Sequence, residues 1–458
     1  MPLRQYLARL GHSSFVRAVG VLVGGTAFGH AITAATMPIV TRLYSPADFS
    51  VLVVFSSVMA IIAVGACLRF DIAVPLPVED REAANLLALS LSCAAAVCVL
   101  LGLIVVAAPG PVANALRQPA LEPYLWLLPV GIFLAGAYSA LQFWFVRQRQ
   151  FATLARTRIV QSAAASGVQI AWGLAGVSPF GLLLGHVVNS GAACLGFGRR
   201  LAADDRRVLA AVSLAGMRSA AVKYSHFPKY STIEALCNSA SIQLPVLLIA
   251  ALAAGSEAGH LMLALYVVQA PIALIGGAVA QVYLARAPEE LRSGTLGSFT
   301  ASVIAGLVRS GVGPLAFAGI VSPLLIAPVF GAEWERAGVL VSWLTPWFAV
   351  HFITAPVSMA LHVTGQQRMA LWLQVAGLVG RVAAVVLAAA LPGHHVSEAY
   401  ALSGLVFYTA YLFVVFRVVR ADVREIGHKL RRSLPACAAW IGAGATVAAV
   451  VLVIKVLA

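Results

Sequence analysis

Residues 223–250 read KYSHFPKYSTIEALCNSASIQLPVLLIA. The run is long enough to cross a bilayer, which takes about 20 predominantly apolar residues in a helix. Yet it carries Glu234, Asn238, Ser239, Ser241 and Gln243, and Pro245 interrupts it. A lipid-facing helix does not keep such residues, because an ionisable group at bilayer depth costs roughly 3 kcal/mol or more unless it meets protein or water. A proline inside a span also frees backbone groups that need a partner from a neighbouring helix or a cavity. The stretch predicts a spanning helix, broken at Pro245, that faces an internal, water-accessible space.

The composition agrees. Of 458 residues, 61% are hydrophobic and 10% charged, and mean hydropathy is +0.92. Soluble domains carry about 25% charged residues, so the chain reads as an all-α polytopic membrane protein. The net charge of +14 does not point to nucleic acid, since basic residues of membrane proteins gather in the loops that stay in the cytoplasm. The six cysteines, at 67, 93, 98, 194, 237 and 437, sit in apolar runs without a CxxC and read as small buried hydrophobes. The opening MPLRQYLARLGHSSFVRAVGVLVGG places basic residues before an apolar run, which continues to about Val40. That exceeds the roughly 7–15 residues of a signal-peptide core and predicts an uncleaved first helix.

Thirteen apolar segments of spanning length follow, near 16–40, 47–70, 84–108, 122–146, 154–176, 179–198, 226–253, 258–285, 299–329, 338–363, 367–391, 396–419 and 435–457. With the N-terminus placed in the cytoplasm, 26 Lys and Arg residues fall on inner segments, four on outer ones, and Arg381 in mid-span. That asymmetry is a strong topological signal, and an odd count puts the C-terminus in the periplasm. The basic segment 199–225 divides the first twelve spans equally. The expected organisation is an N-terminal six-helix lobe (1–198), a basic cytoplasmic linker (199–225), a C-terminal six-helix lobe (226–420), and a basic segment with an additional span (421–458). Two halves that start on the same side imply parallel repeats about a pseudo-twofold along the membrane normal, with a site between them. Gly20-xxx-Gly24, Gly25-xxx-Gly29 and Gly181-xxx-Gly185 have the spacing of close helix–helix packing.

Of the 17 acids, only Glu234 lies clearly within a span. It reads as a proton or cation site, as the partner of an arginine, or as a protonated, hydrogen-bonded carboxyl. Asn238 and Gln243 share its helix. The embedded bases are Arg381, near the middle of the eleventh span, and Arg309, about ten residues into the ninth. From mid-bilayer Arg381 cannot snorkel fully to water. Either it lines a cavity and binds an anion, for which a guanidinium is suited, or it bonds backbone carbonyls or a carboxylate of its own bundle. Arg309 is closer to the inner surface and has the option to snorkel. His30, His186 and His351 sit at mid-depth, where an imidazole either titrates or is packed and hydrogen-bonded. No paired carboxylates, HExxH or nucleophile elbow appears, so no catalytic residue is assigned. His394-His395 lacks a third ligand nearby, and no metal or cofactor site is read.

ATMPIVTRLYSPADFS and LRFDIAVPLPVEDREAANLLALS resemble the first helices of bacterial Wzx-type polysaccharide flippases, within the multidrug/oligosaccharidyl-lipid/polysaccharide exporter superfamily. FPKYSTIEALCNSASIQLPVLL, LYVVQAPIALIGGAVAQVYLARAPEE and FGAEWERAGVLVSWLTPWFAVHFITAPVSMAL extend the resemblance to about residue 420. It implies two six-helix lobes around a cationic cavity of alternating access, located in the bacterial inner membrane. The implied cargo is undecaprenyl-diphosphate-linked oligosaccharide for O-antigen, lipopolysaccharide or exopolysaccharide, with the polyprenyl tail left in membrane lipid. A polysaccharide polymerase and chain-length proteins are the implied partners. Arg381 and Arg309 match the cationic cavity in type. Arg42, Arg69 and Asp71 lie in matching motifs at helix ends, where a structural pair or cap is the alternative. The coupling candidates are Glu234, His30 and, less strongly, His351. The chain departs from the twelve-helix pattern at 435–457. An ion-coupled drug or cation antiporter of the same superfamily is the competing function; it requires intramembrane carboxylates, of which this chain has one candidate against two arginines.

Overall fold

The apolar runs form helices. The computed structural model describes residues 24–253, 255–392 and 395–457, and these contain no β-strand. In chain order the long helices are α1 (24–43), α2 (Pro46–Ala63), α3 (Asp80–Ala107), α4 (Leu127–Arg147), α5 (Phe151–Leu174), α6 (Phe180–Asp204) and α7 (Thr232–Leu252). They continue as α8 (Glu257–Arg292), α9 (Leu296–Phe330), α10 (Glu335–Val357), α11 (Gln367–Ala390), α12 (Val396–Val418) and α13 (Leu434–Leu457). A long helix stands at each expected span, and ten among the described residues are long and apolar enough to cross a membrane. The start of the first span, with Arg4, Arg9, Arg17 and Gly20, lies outside the described residues, as does His394.

The chain divides into two compact units. One holds the residues up to Tyr44 with Val51–Gln243, the other Ser45–Ser50 with Leu244–Ala458. The division at Gln243–Leu244 falls inside α7. The basic segment 199–225, read from sequence as a linker, falls within the first unit. There α6 runs on to Asp204, and a further helix, Leu214–Lys223, follows. Ser213 caps it by accepting the Gly216 N–H at 3.1 Å and gives its own N–H to Asn85 of α3 at 3.0 Å. Lys223 closes the other end on Glu82 at 2.6 Å.

Close packing in the first unit follows its glycines. A Cβ on Gly25 would overlap Ala155 of α5, and one on Gly29 would come within 3.0 Å of the Ser162 hydroxyl. Gly181 and Gly185 similarly admit Trp172 and Gln169. Two of the three small-residue motifs are therefore helix seams; Gly24 faces open space. The loop before α3 is held by Arg147, which donates to Asp80 at 2.8 Å, to the Val78 carbonyl at 2.9 Å and to the Pro77 carbonyl.

Proline chemistry shapes the helices less abruptly than the sequence predicts. The expected break at Pro245 is absent, and α7 runs through it from Thr232 to Leu252. A proline removes one donor and crowds the carbonyl four residues earlier, but neighbours and polar side chains make this tolerable in a span. The distortion appears elsewhere, as wider helical turns at Phe227–Ser231, which contains Pro228, and at Val308–Val312. Pro314 has no N–H for the Ser310 carbonyl, which accounts for the second.

In the second unit α10 packs against α8, α9 and α12. Its first turn places Arg336 between two acids. The guanidinium reaches Glu257 of α8 at 2.8 Å and Glu398 of α12 at 2.5 Å. The additional helix α13 lies on α9, with Trp440 edge-on to Phe317 at 5.7 Å and seated over Gly313.

Before α13, the short helix Val423–Arg431 is capped by Asp422, which accepts the Arg424 N–H at 2.9 Å. Ile426 is buried, while Lys429 bonds Glu425 at 2.6 Å and Ser302 of α9 at 2.8 Å. Lys429, then Ser298, hold the Glu425 carboxyl below its ordinary range. A depressed carboxylate pKa contributes stability above the unfolded value, lost as pH falls through the folded one. Hydrogen exchange across 423–431 is expected to accelerate as pH falls through the carboxylate range, once intrinsic exchange is corrected for. In Glu425→Gln that acid-dependent step should be absent.

Candidate functional site

The chain leaves α2 through a tight run in which Leu68 and Arg69 adopt φ of 49° and 60°. Side chains other than glycine, asparagine and aspartate rarely occupy this left-handed region, at a cost of roughly 1–2 kcal/mol each. Such outliers concentrate at ligand sites. The backbone there directs Arg69 toward the start of α7. Gly65 allows the approach of the two elements, with Leu236 and Thr232 within 3.2–3.4 Å of a hypothetical Cβ. Ser239 donates to the Ala60 carbonyl at 3.1 Å, and Ser57 donates to Gln243 at 3.2 Å. The polar residues of α7 thus meet protein rather than lipid on the side facing α2.

Between these elements is a cavity of about 380 Å³, lined by Arg69, Ser231, Glu234, Asn238 and Ser239 with apolar Ala60, Val64, Ile72, Ala235 and Ile242. Glu234 and Asn238 are exposed, one turn apart. The Arg69 Nε is buried without a hydrogen-bond partner. A buried unpaired donor on a charged group costs about 1–3 kcal/mol or more. Arg69 forms no ion pair with Asp71, which is 3% exposed, accepts a 2.5 Å hydrogen bond from Ser139 on one oxygen and leaves the other without a partner.

The other sequence candidates lie apart from this cavity. Arg42 and His30 are exposed on α1. Arg309 is exposed at the wide turn of α9. His186 meets the edge of Phe55 at 6.2 Å. Arg381 is 6% exposed inside the second unit. Its Nε donates to the Gly377 carbonyl at 3.0 Å, and its guanidinium lies 5.3 Å from the centre of the Phe407 ring. His351 of α10 stacks near Tyr408 at 4.3 Å in the same cluster.

The structure therefore brings together Arg69, Glu234 and Asn238, with Gln243 further along the same helix. It separately brings together Arg381 and His351. Sequence reasoning missed Ser231 and the role of Ser239 as an α2 contact. It also missed Arg336, assigned only to an outer segment. A second cavity, of about 450 Å³, lies around Asp80, Trp144, Arg147, Gln148 and Asp205. Its polar groups are bonded to one another, as Trp144 and Gln148 both donate to Asp205 at 2.9 and 2.7 Å. It reads as a structural knot.

Many long apolar helices define a multi-pass membrane protein. The family described as polysaccharide biosynthesis protein matches residues 39–338, and this chain belongs to it. No curated protein is a significant sequence match. Among solved structures, the lipid II flippase MurJ in an inward closed conformation aligns with a TM-score of 0.73 at 10% identity, covering 96% of this chain and 97% of that one. An outward-facing multidrug resistance MATE family transporter of the MOP superfamily aligns at 0.58 with 13% identity, covering 90% and 96%. A MOP superfamily transporter from Pyrococcus furiosus, described as having a binding pocket of reverse polarity, also aligns at 0.58, with 14% identity and coverage of 88% and 96%. At these identities the likeness concerns the fold.

Proposed function

We propose that the chain flips undecaprenyl-diphosphate-linked oligosaccharide from the inner to the outer leaflet of the bacterial inner membrane, for cell-surface or exported polysaccharide. The carrying observation is the cavity that combines Arg69, with its unpartnered Nε, and the Glu234–Asn238 face. A guanidinium suits a phosphate oxygen. The neighbouring carboxylate, amide and hydroxyls are acceptors and donors for sugar hydroxyls. Membership of a polysaccharide biosynthesis family and the MurJ-like fold support this reading. Arg42 and Arg309 add positive charge along the route, and Glu234 and His30 are its coupling candidates.

The proposed cycle is alternating access of two six-helix lobes related about the membrane normal, with the N-terminus cytoplasmic and the C-terminus periplasmic. Inward opening admits the headgroup, arginines hold the diphosphate, and closure releases it outside while the polyprenyl tail stays in lipid. Polymerase and chain-length proteins would then receive the product.

The MATE likeness favours one second reading, ion-coupled antiport of a drug cation. Proteoliposomes separate the two. The expected result is movement of a fluorescent lipid-linked oligosaccharide and no accumulation of a free drug cation under a proton or sodium gradient. Cation transport without flipping would reverse the assignment.

A further inference from the structure

Arg381 poses an electrostatic problem that the protein does not solve by itself. It lies near the middle of α11, a membrane-spanning helix, and is 6% exposed. All 17 acidic residues are among the described ones, and none forms an ion pair with it. A buried charge without a counter-charge is heavily penalised. Here the Gly377 carbonyl satisfies one N–H, the Tyr400 side chain hydrogen-bonds the guanidinium, and the Phe407 ring covers its face. None of them supplies a negative charge.

The surroundings are rich in donors. Tyr400, Tyr408 and His351 lie near enough to interact electrostatically with Arg381. Trp347 packs edge-on against Tyr400 at 4.9 Å and along Tyr408 at 6.3 Å. It is 3% exposed, and its indole N–H has no hydrogen-bond partner, nor has Nδ1 of His351. Native structures leave few buried polar atoms unpaired, and each calls for an explanation such as an unseen ion. The cluster is closely packed because two helix positions lack side chains. A Cβ on Gly377 would overlap Phe407, and one on Gly404 would overlap the Trp347 ring.

We propose that the second unit holds a small monovalent inorganic anion, of the halide class, beside Arg381 within the Trp347–His351–Tyr400–Tyr408 enclosure. One cation balances one negative charge, and the close packing around Arg381, which is 6% exposed, selects against a bulky or doubly charged anion. The site is distinct from the Arg69 cavity and does not depend on the cargo assigned there. Its role is to neutralise Arg381, which joins α11 to α12 through Phe407 and Tyr400.

The test uses the full chain in zwitterionic nanodiscs, with radiolabelled chloride titrated against gluconate at constant ionic strength. Saturable retention of one chloride per chain is expected, and Arg381→Gln should abolish it. Trp347→Phe, which keeps the positive charge, should weaken binding roughly tenfold, as loss of one hydrogen bond to an ion implies. This variant decides the matter if Arg381→Gln does not fold. Absence of retention by the unmodified chain, or unchanged retention in folded Arg381→Gln or Trp347→Phe, would overturn the site. Added undecaprenyl diphosphate should leave bound chloride in place. Stoichiometric displacement would assign Arg381 to a lipid headgroup and overturn the halide reading.

Discussion

Replacing Arg69 with glycine is expected to lower oligosaccharide flipping in proteoliposomes roughly 10- to 150-fold, the equivalent of one or two hydrogen bonds to a charged group. Thermal stability should meanwhile stay level or rise. The two effects part because of backbone geometry. Arg69 sits at φ 60°, a conformation glycine adopts without its Cβ penalty. The substitution also removes a buried Nε that lacks a partner. A residue retained for stability would show the reverse pattern. Arg69→Lys keeps the charge but loses the planar fork, so intermediate flipping is expected. Wild-type flipping by a correctly inserted Arg69→Gly protein would remove the cavity from the proposed function.

Arg336→Met should clearly lower the stability of the second unit. It leaves Glu257 and Glu398, whose side chains are 14% and 10% exposed, facing each other without their shared cation. Breaking a fully buried pair costs about 3–5 kcal/mol and an exposed one less than about 1. Arg336 retains 34% side-chain exposure, so roughly 2–3 kcal/mol is expected here. Thermal unfolding in detergent reads the loss. Adding Glu257→Gln and Glu398→Gln to Arg336→Met should recover part of it, because two neutral amides no longer repel. A triple variant no more stable than Arg336→Met would mean that the charges are not what ties α8, α10 and α12.

The helical positions were legible in the sequence because lipid imposes a long apolar run on each span, a constraint few loops imitate. Glu234 and Arg381 stood out for the same reason. What those residues touch was not legible. Arg381 meets Phe407, 26 positions away, and Arg336 meets Glu257, 79 positions away; no local periodicity encodes such pairs. The left-handed turn at Leu68–Arg69 carries no glycine to announce it. Pro245 misled in the opposite direction, because its cost to the helix depends on neighbours that a single segment does not reveal. The contacts of the basic segment 199–225 with Asn85 and Glu82 on α3 were likewise not legible from its charge.

The helix Val423–Arg431 carries a meaning for the chain while it is still being made. Arg420, Arg424, His428, Arg431 and Arg432 remain exposed, whereas Ile426 turns inward. This stripe emerges from the ribosome just before α13 and resists translocation through the insertion machinery, as juxtamembrane basic residues do. The expected consequence is a late topological signal that would commit the final span to one direction of insertion independently of its packing on α9.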